Sequence, residues 1–369
     1  MAQWGRSWWR LAWPRPWLIR ALAVIVASAV LVSGLTGARY VIGWWAGPHS
    51  IGVGSEGADA LAVSPDGRTL YAANWDEDND AGGITVVNLA TGRAGKRIDS
   101  GGPAVNLTMM PDGRALYALV QLDDNADRLV RIGLAAPRAN EQIVFPYGAE
   151  ETMAAPTGST LYVLAETSRD SMAVIPVDAD SGHARKAIPV PASSQVMAIS
   201  PDGRVLYIGT GNVDGKGPGE VIPVDARSGK AGKPVRFPRA VTGLALGPGG
   251  RRLFALASDY HCGEGGACGG RCDLVGIDLA TGAALRPVRL DSGCDQLEVA
   301  PGQRGLFVLS TDNSLTVVNS MTSRVEKTIR TTGFMAGEGD SGFLLAPNGR
   351  TVYIADQYRG VVVIPVAHT

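Results

Sequence analysis

The chemistry most visible in the sequence is carboxylate chemistry. In Trp75-Asp76-Glu77-Asp78-Asn79-Asp80, the side chains of Asp76, Asp78 and Asp80 alternate as the opening ligands of a calcium loop do. The later Gly and the bidentate Glu of an EF-hand are absent. The default reading is a solvated acidic loop, and calcium is the ion such spacing could hold. No other cofactor is expected. Trp75 either stacks on a ligand or packs against its own loop. A second cluster is cysteine: Cys262, Cys268, Cys272 and Cys294 are the only four in the chain. Three of them share the insertion HCGEGGACGGRC. Their spacing fits no paired C-x-x-C zinc knuckle, so two disulfides are expected, in any of three pairings. Such bonds would staple a glycine-rich loop that has no core of its own. Histidine is scarce, at His49, His183, His261 and His368. His261 beside Asp259 could form a small polar site, although one His next to an acid is usually structural. There is no Gly-x-Ser-x-Gly elbow, His-Glu-x-x-His helix, Walker-type phosphate loop or C-x-x-C-H haem motif. A catalytic constellation is therefore missing, and the balance lies toward a protein that is not an enzyme.

The elements that must position these residues come from a repeat. Its copies include LAVSPDGRTLYAAN from Leu61, LTMMPDGRALYALV from Leu107, MAISPDGRVLYIGT from Met197 and LLAPNGRTVYIAD from Leu344. The turn prolines are Pro65, Pro111, Pro156, Pro201, Pro248, Pro301 and Pro347, spaced by 46, 45, 45, 47, 53 and 46 residues. The longest interval holds the cysteine insertion. In each copy an apolar strand meets a Pro-x-Gly turn, where Pro presets φ and Gly takes positive φ. A Leu-Tyr or Leu-Phe strand follows, then a variable polar loop. A third alternating strand, such as Ile84-Thr85-Val86-Val87-Asn88, ends in a Thr-Gly or Ser-Gly turn, and a short fourth strand closes the unit. Four strands without a helix in about 45 residues describe a propeller blade. The prediction is an all-β, seven-bladed β-propeller of four-stranded antiparallel blades over residues 50–369. The last copy lacks its fourth strand, and Ser50-Ile51-Gly52-Val53-Gly54 is the orphan expected to supply it, closing the ring.

The phrases SPDGRTLYAAN…ITVVNLATG (Ser64 to Gly92) and SPDGRVLYIGT…VIPVDARSG (Ser200 to Gly229) resemble the YVTN-type β-propeller repeats. The resemblance covers essentially all of residues 50–369. It implies the propeller fold. It also implies a place among surface-layer and secreted binding proteins, with lactonase-type hydrolases and amine-dehydrogenase propeller subunits as relatives. The signature Asn is present only at Asn74, with Val120, Thr210 and Asp356 at equivalent places. No catalytic residue of the family maps onto the chain.

In a propeller, one face carries the second-to-third-strand loops and the loops entering each blade. The Pro-Asp-Gly turns lie on the other face. The variable loops hold the ligand-face candidates Trp75, Asp123, Asp124, Asp259, His261 and Asp356. The opposite turns hold Arg68, Arg114, Arg204, Arg251 and Arg350. An acidic loop face opposite a neutral-to-basic one is predicted, suited to cations or basic partners and not to anionic polymers.

Residues 1–20 are rich in Arg and Trp. Residues 21–42 run apolar apart from Arg39, long enough as a helix to span a bilayer. The preceding Arg residues put the N-terminus in the cytoplasm, and Trp13, Trp17, Trp44 and Trp45 flank the run as an aromatic belt. A signal anchor is predicted, or a secreted chain if Thr36-Gly37-Ala38 is cleaved after Ala38. A linker at 43–49 then joins the propeller. Net charge is -1, with charged residues at 19% and apolar residues at 45%, which excludes a basic nucleic-acid-binding domain. The expected function is that of a membrane-anchored extracytoplasmic propeller that binds a partner protein or small-molecule ligand. The alternative is a lactonase-like hydrolase using loop carboxylates and a metal at the channel mouth.

Overall fold

A computed structural model describes residues 49–54, 57–76, 81–122, 126–135, 139–211, 217–259, 261–262, 268–290, 293–300, 305–310, 312, 314–330, 342–356 and 358–366. Among these, seven antiparallel sheets follow one another along the chain, each ordered inner strand to outer strand, and a separate two-stranded hairpin makes the eighth sheet. The protein is a seven-bladed propeller. Blade one is Ala60–Val63, Thr69–Asp76, Ala81–Asn88 and Arg93–Asp99. Blades two to six repeat that order from Ala104, Ala149, Ser194, Ala240 and Cys294, with the outer position of blade five shared by Ala283–Ala284 and Val288–Leu290. Blade seven has Phe343–Leu345, Thr351–Asp356 and Gly360–Pro365. Its fourth strand is His49–Ile51, antiparallel to Gly360–Pro365 with Ile51 opposite Val361 and His49 opposite Val363. The closing strand thus lies one residue earlier than Ser50 at its start and stops at Ile51.

The turn chemistry explains why the repeat is so regular. In blade one, Gly67 takes φ +68° and its N–H donates to Ser64 O. Asp66 Oδ1 accepts from the Arg68 N–H at 3.1 Å, and the Thr69 N–H donates to Ser64 Oγ. Ser200, Asp202, Gly203 and Arg204 repeat the arrangement in blade four. Where the third strand ends, on the same face, Asp178, Asp225 and Asp278 each accept the N–H three residues on, from Ser181, Ser228 and Thr281. These exposed carboxylates are held below their ordinary pKa by those hydrogen bonds, Asp178 at about 2.

Apolar side chains of the strands meet between neighbouring blades. Each of seven buried clusters draws on two adjacent blades, and the last joins Leu61 and Leu70 of blade one to Tyr353 and Val361 of blade seven. Tyr117, Phe254 and Phe307 are among the largest fully buried side chains. Polar bridges pin neighbouring blades as well. Tyr117 Oη donates to Ala179 O at 2.8 Å, and Thr152 Oγ1 donates to Asn106 Oδ1 at 2.7 Å in a buried site. Replacing Thr152 with Val removes that donor while Asn106 stays buried. The expected loss is about 1–2 kcal/mol, read as a lower urea midpoint at unchanged m-value. An unchanged midpoint would show that the bridge contributes nothing net.

Candidate functional site

The blade-five insertion rises from a rigid base. Cys272 opens the third strand of blade five, Cys294 opens the inner strand of blade six, and a disulfide joins them with both residues buried. It closes a loop with a sequence separation of 22, a restriction of the unfolded chain worth about 3 kcal/mol. Of the three pairings open on sequence, this bond excludes the two that would join Cys272 or Cys294 to another cysteine. The strand register sets Cys262 and Cys268 opposite each other in the hairpin His261–Cys262/Cys268–Gly269.

Charged groups reinforce the base. Arg239 lies on the segment entering blade five, and its side chain is 17% exposed. Its Nε reaches Asp259 Oδ2 at 3.2 Å and its terminal nitrogen reaches Asp273 Oδ2 at 2.5 Å. Arg289 stands 3.7 Å from the other oxygen of Asp273. Asp259 also accepts the Arg271 N–H across the neck of the insertion. Partial burial alone would raise the Asp259 pKa. The Arg271 N–H and the Arg239 guanidinium outweigh it and hold the carboxylate below its ordinary value. Asp259 is therefore an ionised strut at the root of the insertion.

The remaining candidates are distributed differently from the loop picture. Trp75 is half-buried and sits in a strand, paired opposite Gly82, with its backbone N–H donated to the Asp59 carboxylate. Asp356 is fully buried, and its Oδ1 accepts the Tyr358 and Arg359 N–H groups at 2.8 and 2.9 Å. It organises a turn and is not displayed on the loop face. Asp78, Asp80, Asp123 and Asp124 lie outside the described residues, as do the side chains of Asp76 and His261. The predicted membrane segment, with everything before His49, also lies outside them. Among the described residues no helix is long and apolar enough to cross a membrane, and no three His, Cys, Asp or Glu side chains converge on a metal position.

The ring's central channel brings together groups that the sequence reading did not single out. A cavity of about 380 Å³ is lined by the inner strands of blades three to six and by Phe343 of blade seven. Its polar lining includes Glu151, Gln195, Thr242, Gln296 and Glu298. Glu151 reaches across to blade four, where its Oε2 accepts the Met197 N–H at 2.7 Å. Glu298 is half-buried and lines the same cavity. Burial pushes its pKa up to about 7 against a single opposing hydrogen bond from the Val299 N–H. Thr242 Oγ1 is buried without a hydrogen-bond partner. Glu298 had a signal in the repeat. Three residues before the turn proline, the other copies carry Ala62, Thr108, Met153, Ala198, Ala245 and Leu344, so one copy alone has a charge there.

Comparison with known proteins extends this only at the level of fold. No protein-family model matches the chain, and no curated protein matches it. Among solved structures, a chain of Kuenenia stuttgartiensis hydrazine synthase is similar, with a TM-score of 0.67 and 17% sequence identity. The match covers 89% of this chain and 99% of that one. The likeness is one of propeller architecture.

Proposed function

We propose that this protein is a membrane-anchored, extracytoplasmic binding module that recognises a partner protein or ligand with its loop face. The observation that carries the reading is the braced insertion of blade five. A disulfide and the Arg239–Asp259–Asp273 ion pairs order its base before any partner arrives. A loop ordered in advance loses less conformational freedom on binding, so more of its contact energy becomes affinity. The disulfide also suits an oxidising compartment, in keeping with the apolar run at 21–42 and the YVTN-like repeat phrases. The buried base supplies stability and the variable tip supplies recognition.

The test is comparative recovery. Full-length protein and a variant with residues 263–267 replaced by Gly and Ser are each isolated from membranes of the source cells under identical conditions. A species bound to the first and absent from the second is expected. Identical recoveries would overturn the assignment of recognition to this insertion. The hydrolase reading draws on one observation, the Glu298 carboxyl in the channel, and predicts lactone hydrolysis that is lost in Glu298→Gln.

A further inference from the structure

The strand directions fix the face on which the closing strand begins. Gly360–Pro365 begins at the Asp356–Gly360 loop and ends beside the turn of Pro347–Arg350, since Thr351 pairs with Pro365 and the Val366 N–H donates to Arg350 O. The closing strand His49–Ile51 runs antiparallel to it, with His49 nearer the Pro365 end. The closing strand therefore begins on the face of the Pro-x-Gly turns. That face carries exposed Arg68, Arg114, Arg204, Arg251 and Arg350, one from each of five blades. The third-to-fourth-strand turns of the same face add Lys186, Arg227 and Lys233, all exposed. Its acids include Asp66, Asp112, Asp178, Asp202, Asp225 and Asp278, which accept N–H groups of their own turns, and Asp112, Asp178 and Asp202 also pair with Arg114, Arg185 and Arg204.

We propose that this basic turn face lies flat on anionic phospholipid headgroups of the outer leaflet. The inference rests on the membrane-anchor reading above. A plane of cationic side chains attracts anionic headgroups over about a Debye length. Several Arg and Lys side chains on one plane suit a charged sheet better than a single small anion. Lipid contact on this side leaves the opposite face, with the blade-five insertion, pointing away from the membrane toward partners.

The test uses the full chain, reconstituted into vesicles of phosphatidylcholine alone or of phosphatidylcholine with phosphatidylglycerol. Flotation reports the anchor. Acylation of Lys186, Lys230 and Lys233, against Lys96 and Lys327 on outer strands, reports the face. The proposal expects acylation of the first three to slow about fivefold in the anionic vesicles only, with high salt restoring it. The quadruple variant Arg68→Glu, Arg114→Glu, Arg204→Glu, Arg350→Glu should still float but lose the protection. Flotation with equal acylation in both lipids overturns the docking and leaves the anchor standing. Flotation with the anionic vesicles alone supports the docking and removes the anchor. Absence of flotation with either removes both.

Discussion

A chain that begins at Gly57 is expected to lose its monomeric folded state. The truncation takes away the fourth strand of blade seven. Ile51 and Val53, 7% and 4% exposed, pack with Leu61, Leu70, Tyr353 and Val363 where the last blade meets the first. Losing the two side chains removes roughly 2 kcal/mol of burial each. That is a large part of the 5–15 kcal/mol that holds typical domains together. The strand Gly360–Pro365 would also become an open edge, and it is apolar from Val361 to Ile364. The expected result is oligomers on gel filtration and a concentration-dependent, early thermal transition. A gentler variant tests the same joint. Gly360 has φ +88°, and a Cβ there would stand 2.4 Å from Ile51 O. Gly360→Val should weaken closure in the same direction at full chain length. A monomeric truncated chain with an unshifted transition would show that the ring does not depend on its closing strand.

The parts of this architecture legible in the sequence are those set by local backbone rules. Gly67, Gly113, Gly203 and Gly349 share φ values near +70°, and each follows a Pro that fixes its own φ. That requirement recurs wherever an inner strand must reverse, so the blade count could be read along the chain. Alternation marked the strands because their two faces pack against different neighbours. Properties that arise from closure were less legible. Asp356 stands in a polar loop by sequence, yet the turn folds its carboxylate inward to serve two backbone N–H groups. Cys272 and Cys294 meet because adjacent blades bring strand starts together, which spacing alone does not dictate. Glu151 reads as an ordinary polar position until the inner strands are arranged around one lumen, whereas Glu298 is marked as the one charge at its place in the repeat.

Glu298 should give the protein a stability that falls as pH rises. Its carboxyl has a pKa of about 7 in the folded chain, against an ordinary value of 4.5. Below pH 4.5 both states hold the proton and the residue contributes no slope. Between 4.5 and 7 the unfolded chain releases its proton while the folded chain keeps it, so ionisation draws the equilibrium toward unfolding. Above 7 both forms are ionised and the whole penalty stands, about 3 kcal/mol at 1.36 kcal/mol per pKa unit. Glu298→Gln keeps the shape and removes the charge. It is expected to flatten this part of the pH profile and to raise stability at pH 8 by up to about 3 kcal/mol, measured by urea unfolding at several pH values. Equal slopes in the two proteins would mean that lumen water already solvates the carboxylate. If the variant is more stable at pH 8 but no longer hydrolyses a lactone that the unaltered chain does, the strained carboxyl serves chemistry in the channel. If recovery of the loop-face partner is unchanged in the same variant, channel and insertion act independently, and the acid in the lumen is a tuning element of the ring and not part of the recognition surface.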